Sequence, residues 1–259
     1  MRRMNDPDRW NDMAKHYEET AHPFTAPFAE AALARIRLTP QTRLLDVATG
    51  TGALALAAAW AGAQVLATDF SPGMVARVTR HGLPNLEGRT MDGQALDLPD
   101  ASFDAVFSVF GVMMFPDWRR GLAEMARVTR PGGHGVVATW QSKGAATHLL
   151  LGEVVRGLFP EREWRTGLPE GLTWLGKPDT LSAEMVAAGF DAPAIETMTS
   201  DYLLRMTNLD PETQFGLSED WGALGPDDQQ KVIDEVYRRA GGRNVLPVPS
   251  TALIAVARR

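Results

Sequence analysis

The chain has no cysteine among its 259 residues. That excludes disulfides, thiolate catalysis and Cys-ligated zinc, and it suits a reducing compartment, so a cytoplasmic protein without a metal site is expected. No stretch of about 18 consecutive apolar residues occurs, and no membrane-spanning helix is expected. The opening Met-Arg-Arg-Met-Asn-Asp-Pro-Asp leads into a polar segment, not an apolar h-region, so no signal peptide is expected either. Runs of like charge are missing as well. With 26 basic residues against 32 acidic ones, for a net charge of −6, a nucleic-acid-binding surface is not indicated. What is present is an ordinary globular balance, 44% hydrophobic and 22% charged, enough to bury a sizeable core.

The first forty residues read as a helical cap. Trp10, Met13, Ala14 and Tyr17 recur at helical spacing, and a second segment from about Pro27 to Arg37 is rich in Ala and Leu. From residue 43 the pattern alternates. Strand-like runs at 43–48, 64–69, 86–91, 103–110 and 134–140 are separated by helical segments, one of them opened by Ser71-Pro72, a hydroxyl cap followed by proline. Two further strands are expected at 194–204 and 251–257. Such alternation calls for right-handed crossovers and a mostly parallel sheet in an α/β domain. The expected segments are a cap (1–40), a core (41–140), a helical insertion over the substrate site (141–178), and the rest of the core with the last two strands (179–259).

Asp46, Asp69 and Asp92 recur at an equal interval of 23 residues. One strand-helix unit of that length returns the chain to the same sheet edge, so all three should stand at carboxyl ends of strands, where open α/β sheets bind ligands. Asp46 opens the turn Val47-Ala48-Thr49-Gly50-Thr51-Gly52, whose small residues let backbone N–H groups approach a ligand. Asp69 is placed to accept from both hydroxyls of a ribose. The combination points to a nucleoside ligand. Ala55 satisfies the third small position of a dinucleotide fingerprint, so chemistry alone leaves a nicotinamide dinucleotide open, although Asp46 would repel its pyrophosphate. A P-loop is excluded by its missing Lys and Ser/Thr.

The segment LLDVATGTGALAL resembles the first motif of the class I S-adenosylmethionine-dependent methyltransferases, in the subgroup of ubiquinone/menaquinone C-methyltransferases and many small-molecule enzymes. TDFSPGMV (68–75), MDGQALDLPDASFDAVFSVFGVMMF (91–115) and VTRPGGHGVVATW (128–140) resemble its later motifs in order. The one departure is Ala48, where many members have glycine. This resemblance implies a Rossmann-like, doubly wound, mostly parallel seven-stranded sheet with helices on both faces, S-adenosylmethionine as cofactor, and a small-molecule methyl acceptor. By residue, it implies that Ala48, Thr49, Gly50 and Gly52 cradle the methionyl part, with Asp46 on its amino group and Tyr17 closing over it. Asp69 takes the ribose hydroxyls, Phe70 and Met74 flank the adenine, and Asp92 accepts from its amino group beside Gly93, Gln94 and Ala95. Ser108, Val109 and Phe110 pass beneath the sulfonium.

An apolar acceptor pocket is expected from the region of Phe24, Phe28, Val112, Met113, Met114, Phe115, Trp164 and Trp174, although the four residues that follow strand four read better as core. No motif marks any of His16, His22, His81, His134 or His148 as a general base, so no catalytic residue is assigned. A nicotinamide-dependent oxidoreductase and a non-catalytic S-adenosylmethionine-binding protein stand as alternatives. The sequence does not read out the oligomeric state.

Overall fold

A computed structural model describes residues 6–142, 147–162, 169–215 and 218–259. By compactness the chain divides into two units. One comprises residues up to 142, 169–198 and 252–259, and the other 143–168 and 199–251. The latter thus pairs the first part of the expected insertion with residues 199–251, which the sequence segments grouped with the core.

In chain order the elements are α1 (Pro7–Leu33), β1 (Arg43–Val47), α2 (Ala53–Trp60), β2 (Gln64–Asp69), α3 (Pro72–Thr79), β3 (Leu86–Thr90), β4 (Phe103–Val109), α4 (Trp118–Val128), β5 (Thr129–Trp140), α5 (Thr147–Leu158), α6 (Glu170–Trp174), α7 (Pro178–Ala187), β6 (Ala194–Arg205), α8 (Pro211–Phe215), α9 (Glu219–Gly222), α10 (Pro226–Ala240) and β7 (Val245–Arg258). The seven strands lie in the order β3-β2-β1-β4-β5-β7-β6. Strands β1 to β5 pair in parallel, and β7 runs antiparallel to β5. The expected α/β, mostly parallel architecture is present. Strand order reverses between β1 and β4, which opens a crevice at the carboxyl edge of the sheet.

Local chemistry accounts for the elements around that crevice. In β1 and β2 every residue after the first is buried, as expected of parallel strands covered on both faces. The helix α2 (ALALAAAW) has alanine at most positions, which lets it pack closely between α1 and the sheet; Leu54, Ala55, Ala58 and Ala59 join Leu44, Val65, Ala67, Ala105 and Phe107 in one cluster. Ser71 caps α3 by accepting from Met74 N at 3.2 Å, and Asp117 caps α4 by accepting from Arg120 N at 3.0 Å.

Helix α1 corrects the sequence reading, which treated Pro27 as the start of a second segment. It runs unbroken through Pro23 and Pro27. Each interior proline removes a hydrogen bond and costs about 3 kcal/mol. Burial of Ala14, Thr25, Phe28, Ala29, Ala32 and Leu33 along one face offsets that cost.

The second unit has its own apolar cluster. Leu151, Val154 and Val155 of α5 pack with Leu204, Trp221, Val232, Val236, Leu246 and Val248.

Candidate functional site

The turn after β1 is held by backbone bonds from Thr49 N to Thr68 O and from Gly52 N to Thr49 O, each 2.9 Å. It requires left-handed backbone at three positions: Ala48 (φ 58°), Gly50 (φ 55°) and Gly52 (φ 90°). Glycine meets this without strain, whereas Ala48 carries a cost of about 1 kcal/mol, the physical reason a glycine suits that place. A Cβ on Gly50 would stand 3.4 Å from the Tyr17 ring, an ordinary contact, so the positive φ is what calls for glycine there.

Two buried carboxylates flank this turn. Asp46 is 2% exposed and accepts from Thr49 Oγ1 at 2.7 Å. Burial pushes its carboxyl up to about 7, against the hydrogen bonds from Thr49 and the Ala55 backbone. Asp69 is 6% exposed; its Oδ2 accepts from Gly50 N and its Oδ1 from Ser71 N, both at 2.9 Å. Burial pushes it up to about 6. A third carboxylate, Asp92, accepts from the backbone and side-chain nitrogens of Gln94 at 2.9 Å.

Helix α1 roofs the turn. The Tyr17 phenol is pushed up to about 12 by burial and by the charge on Asp69, and Trp10 meets the Tyr17 ring edge-on at 5.9 Å. Asn11 fastens the helix to α3, its Oδ1 accepting from Ser71 Oγ and Gly73 N at 2.7 Å each. Glu18 pairs with Arg77 (3.2 Å) and Arg80 (2.7 Å). Asn11→Ala strands two donors, so we expect a loss of about 1–3 kcal/mol in stability, read as a lower melting temperature. An unchanged melting temperature would show that the anchor carries no load.

Together these elements enclose a cavity of about 280 Å³ at the carboxyl edge of the sheet. It is lined by Trp10, Tyr17 and Thr25 of α1 and by Asp46, Ala48, Thr49, Gly50, Thr51, Ala53 and Leu54 of the first turn. Asp69 ends β2, with Phe70 and Met74 after it; Met91, Asp92, Gly93 and Gln94 follow β3; and Val109 ends β4, with Phe110, Gly111, Met114, Phe115 and Pro116 after it. Among these described lining residues are three carboxylates and no lysine or arginine.

Most of the expected site residues therefore converge on this cavity, and three do not line it. Gly52 begins α2, and a Cβ on it would stand 3.0 Å from Val78, so its role is packing. Ala95 is exposed, its N–H turned back to Asp92 O. Ser108 is fully buried; its hydroxyl donates to Val47 O and accepts from Val112 N, holding β1 and the turn after β4 in place. The expected acceptor residues also divide. Met114 and Phe115 line the cavity, whereas Val112 and Met113 are core. Phe28 is core too, and Phe24 stacks on Trp140 at 5.0 Å, with Phe110 on that indole at 3.8 Å. Trp174 lies elsewhere, because its indole N–H donates to Glu184 at 2.9 Å, which draws it onto α7. Trp164 and the His148 side chain fall outside the described residues. None of His16, His22, His81 and His134 lines the cavity. Thr51 lines it with the rest of its turn; Trp10 and Thr25 line it unanticipated, although the interval of seven residues between Trp10 and Tyr17 sets both on one helix face.

Residues 45–137 match the family model described as a methyltransferase domain. An uncharacterized protein of Mycobacterium tuberculosis is 38% identical over 163 residues, which is 61% of this chain and 57% of that protein, so the chain spans little more than half of that relative's length. A putative methyltransferase from an antibiotic biosynthesis pathway of Anabaena variabilis shares the fold, with a TM-score of 0.61 at 18% identity, covering 88% of this chain and 96% of that one. The demethylmenaquinone methyltransferase of Thermus thermophilus is 38% identical over 165 residues, 57% of this chain and 74% of that enzyme. With that share of an enzyme matched, and the loop, the carboxylates and the strand order all in place, the chain belongs to the class I S-adenosylmethionine-dependent methyltransferase family.

Proposed function

We propose that this chain transfers a methyl group from S-adenosylmethionine to a small apolar molecule, aromatic or quinone-like, at O, N or C. The observation that carries the reading is the charge of the cavity: three carboxylates, two of them buried, and no cationic side chain among the described lining residues. A nicotinamide dinucleotide would set its pyrophosphate among those carboxylates. A ligand bearing a sulfonium and an ammonium suits them, so the donor set fits this cofactor.

When bound, S-adenosylmethionine supplies an electrophilic methyl group on a positively charged sulfur. The residues of this chain bind and orient it. Asp46 takes the ammonium, Asp69 the two ribose hydroxyls, and Asp92 the adenine amino group, with Phe70 and Met74 against the adenine faces. Ala48, Thr49 and Gly50 cradle the methionyl part under Tyr17. Val109, Phe110, Met114, Phe115 and Pro116 give the side after β4 an apolar wall, against which a flat acceptor is held in line with the breaking bond. The Thermus thermophilus relative's name, demethylmenaquinone methyltransferase, supports a quinone-type acceptor.

Incubation with S-adenosylmethionine and a panel of quinols, phenols and heterocyclic amines is the test. S-adenosylhomocysteine should accumulate together with a product heavier by one methyl group. Tight cofactor binding with no turnover on any member would instead favour a protein that only binds the cofactor.

A further inference from the structure

Gly93, after β3, and Gly121, inside α4, are not there for backbone freedom, because neither has a positive φ. Glycine within a helix is even unfavourable relative to alanine. Both make room for one ring. A Cβ on Gly93 would stand 2.5 Å from Phe115 Cζ, and one on Gly121 would stand 2.5 Å from Phe115 Cδ2, closer than carbon atoms pack. The Phe115 ring is therefore gripped between two bare backbones, one after β3 and one on α4, while the residue lines the cavity.

Hydrogen bonds tie the same segments. Gln94 Oε1 accepts from Asp117 N at 2.8 Å, and its Nε2 donates to Asp92 Oδ1 at 2.9 Å. That amide can be turned only one way, since the backbone N–H donates and the carboxylate accepts. Further along, Glu124 of α4 accepts from Leu96 N at 2.8 Å, and Arg127 donates to Leu96 O (2.9 Å) and Leu98 O (2.8 Å). The segment after β3 lines the cavity with Asp92, Gly93 and Gln94, and the segment after β4 with Met114, Phe115 and Pro116. They are built as one piece.

We infer that Phe115 is a positioning residue that couples the two halves of the site. A nucleoside seated on Asp92 and Gly93 fixes the ring in its slot, and the ring fixes the wall of Met114 and Pro116 against which the acceptor is held. Binding of the cofactor thus completes the acceptor wall, and an acceptor in place tightens the cofactor by the same factor. The inference rests on the cofactor reading above, which seats the adenine at Asp92.

Hydrogen exchange with and without S-adenosylhomocysteine tests it, with no acceptor required. At a ligand concentration of about 100 times Kd, openings that release the ligand are suppressed by about 100-fold. In the wild type, amides in both 92–96 and 112–120 should slow by up to that factor. In Phe115→Ala and in Gln94→Ala the slowing should persist at 92–96 and vanish from 112–120. Gly121→Ala, which drives the ring from its slot at a residue that does not line the cavity, should do the same. Slowing confined to 92–96 in the wild type, or still present at 112–120 in the variants, would overturn the inference. Slowing lost from both segments in the variants would overturn it as well, making Phe115 a wall of the cofactor site and no link. A wild type that slows nowhere would overturn the cofactor reading itself.

Discussion

Replacing Asp46 with asparagine is expected to stabilise the ligand-free protein at pH 8 while weakening its grip on S-adenosylmethionine. Burial raises the Asp46 carboxyl from 3.8 to about 7, so the folded state holds this proton more tightly than the unfolded chain does. The sign follows from linkage: between about pH 4 and 7 the native state binds more protons, and stability falls as pH rises through that window. Above it the folded protein carries a buried charge that only hydrogen bonds offset. Asparagine removes the charge, keeps an oxygen for the Thr49 hydroxyl, and should add about 1–3 kcal/mol at pH 8, or roughly 2–4 °C in melting temperature per kcal/mol. The same change deletes the partner of the cofactor's ammonium. Loss of one member of a buried charge pair costs about 2–5 kcal/mol, so affinity should drop by about 30-fold or more. In the wild type, affinity should rise between pH 6 and 8 as Asp46 gives up its proton. A variant less stable than the wild type at pH 8, or one that binds equally well, would refute this account of the carboxylate.

Asp69→Ala should have the largest effect on nucleoside binding. Its two oxygens already hold Gly50 N and Ser71 N at 2.9 Å, so the side chain shapes the turn as well as presenting lone pairs to a ribose. Alanine would remove both functions, and we expect a loss of about 2–4 kcal/mol, roughly 30- to 1000-fold. S-adenosylmethionine, S-adenosylhomocysteine and methylthioadenosine should suffer alike, because all three share the ribose. Unchanged affinity for all three by calorimetry would remove Asp69 from the ribose site.

Much of the fold is legible in the chain because parallel strands announce themselves. The runs RLLDV and QVLATD are apolar, short and followed by glycine or a capping hydroxyl, and they coincide with β1 and β2. Other elements are blurred by residues whose local preference loses to pairing. Strand β5 begins at Thr129, ahead of the run expected from 134, and takes in Pro131-Gly132-Gly133. Gly132 adopts φ 77° there, and the register with β4 shifts between Phe103 and Ala105, so the interruption is absorbed as an irregularity inside the strand. Strand β7 starts at Val245 instead of 251, because Pro247 and Pro249 masked its first half.

The site divides along similar lines. Carboxylates at equal spacing near strand ends, and small residues in one turn, are local signals, and they converged on the cavity. Contacts between distant segments are not local. Trp10 and Thr25 reach the cavity only because α1 lies across the first turn, and nothing in a window of sequence fixes where a helix docks. Ser108 shows the converse. The family resemblance implied a ligand contact for it, yet its hydroxyl is taken by Val47 O and Val112 N.

Calorimetry of the purified chain at pH 8 with S-adenosylmethionine, with NADH as the competing ligand, tests the central claim most directly. The acidic cavity calls for micromolar-range binding of S-adenosylmethionine and none of NADH. Tight binding of NADH with no heat from S-adenosylmethionine would contradict it, and would mean that a pyrophosphate sits among carboxylates that were read here as the seat of a cation.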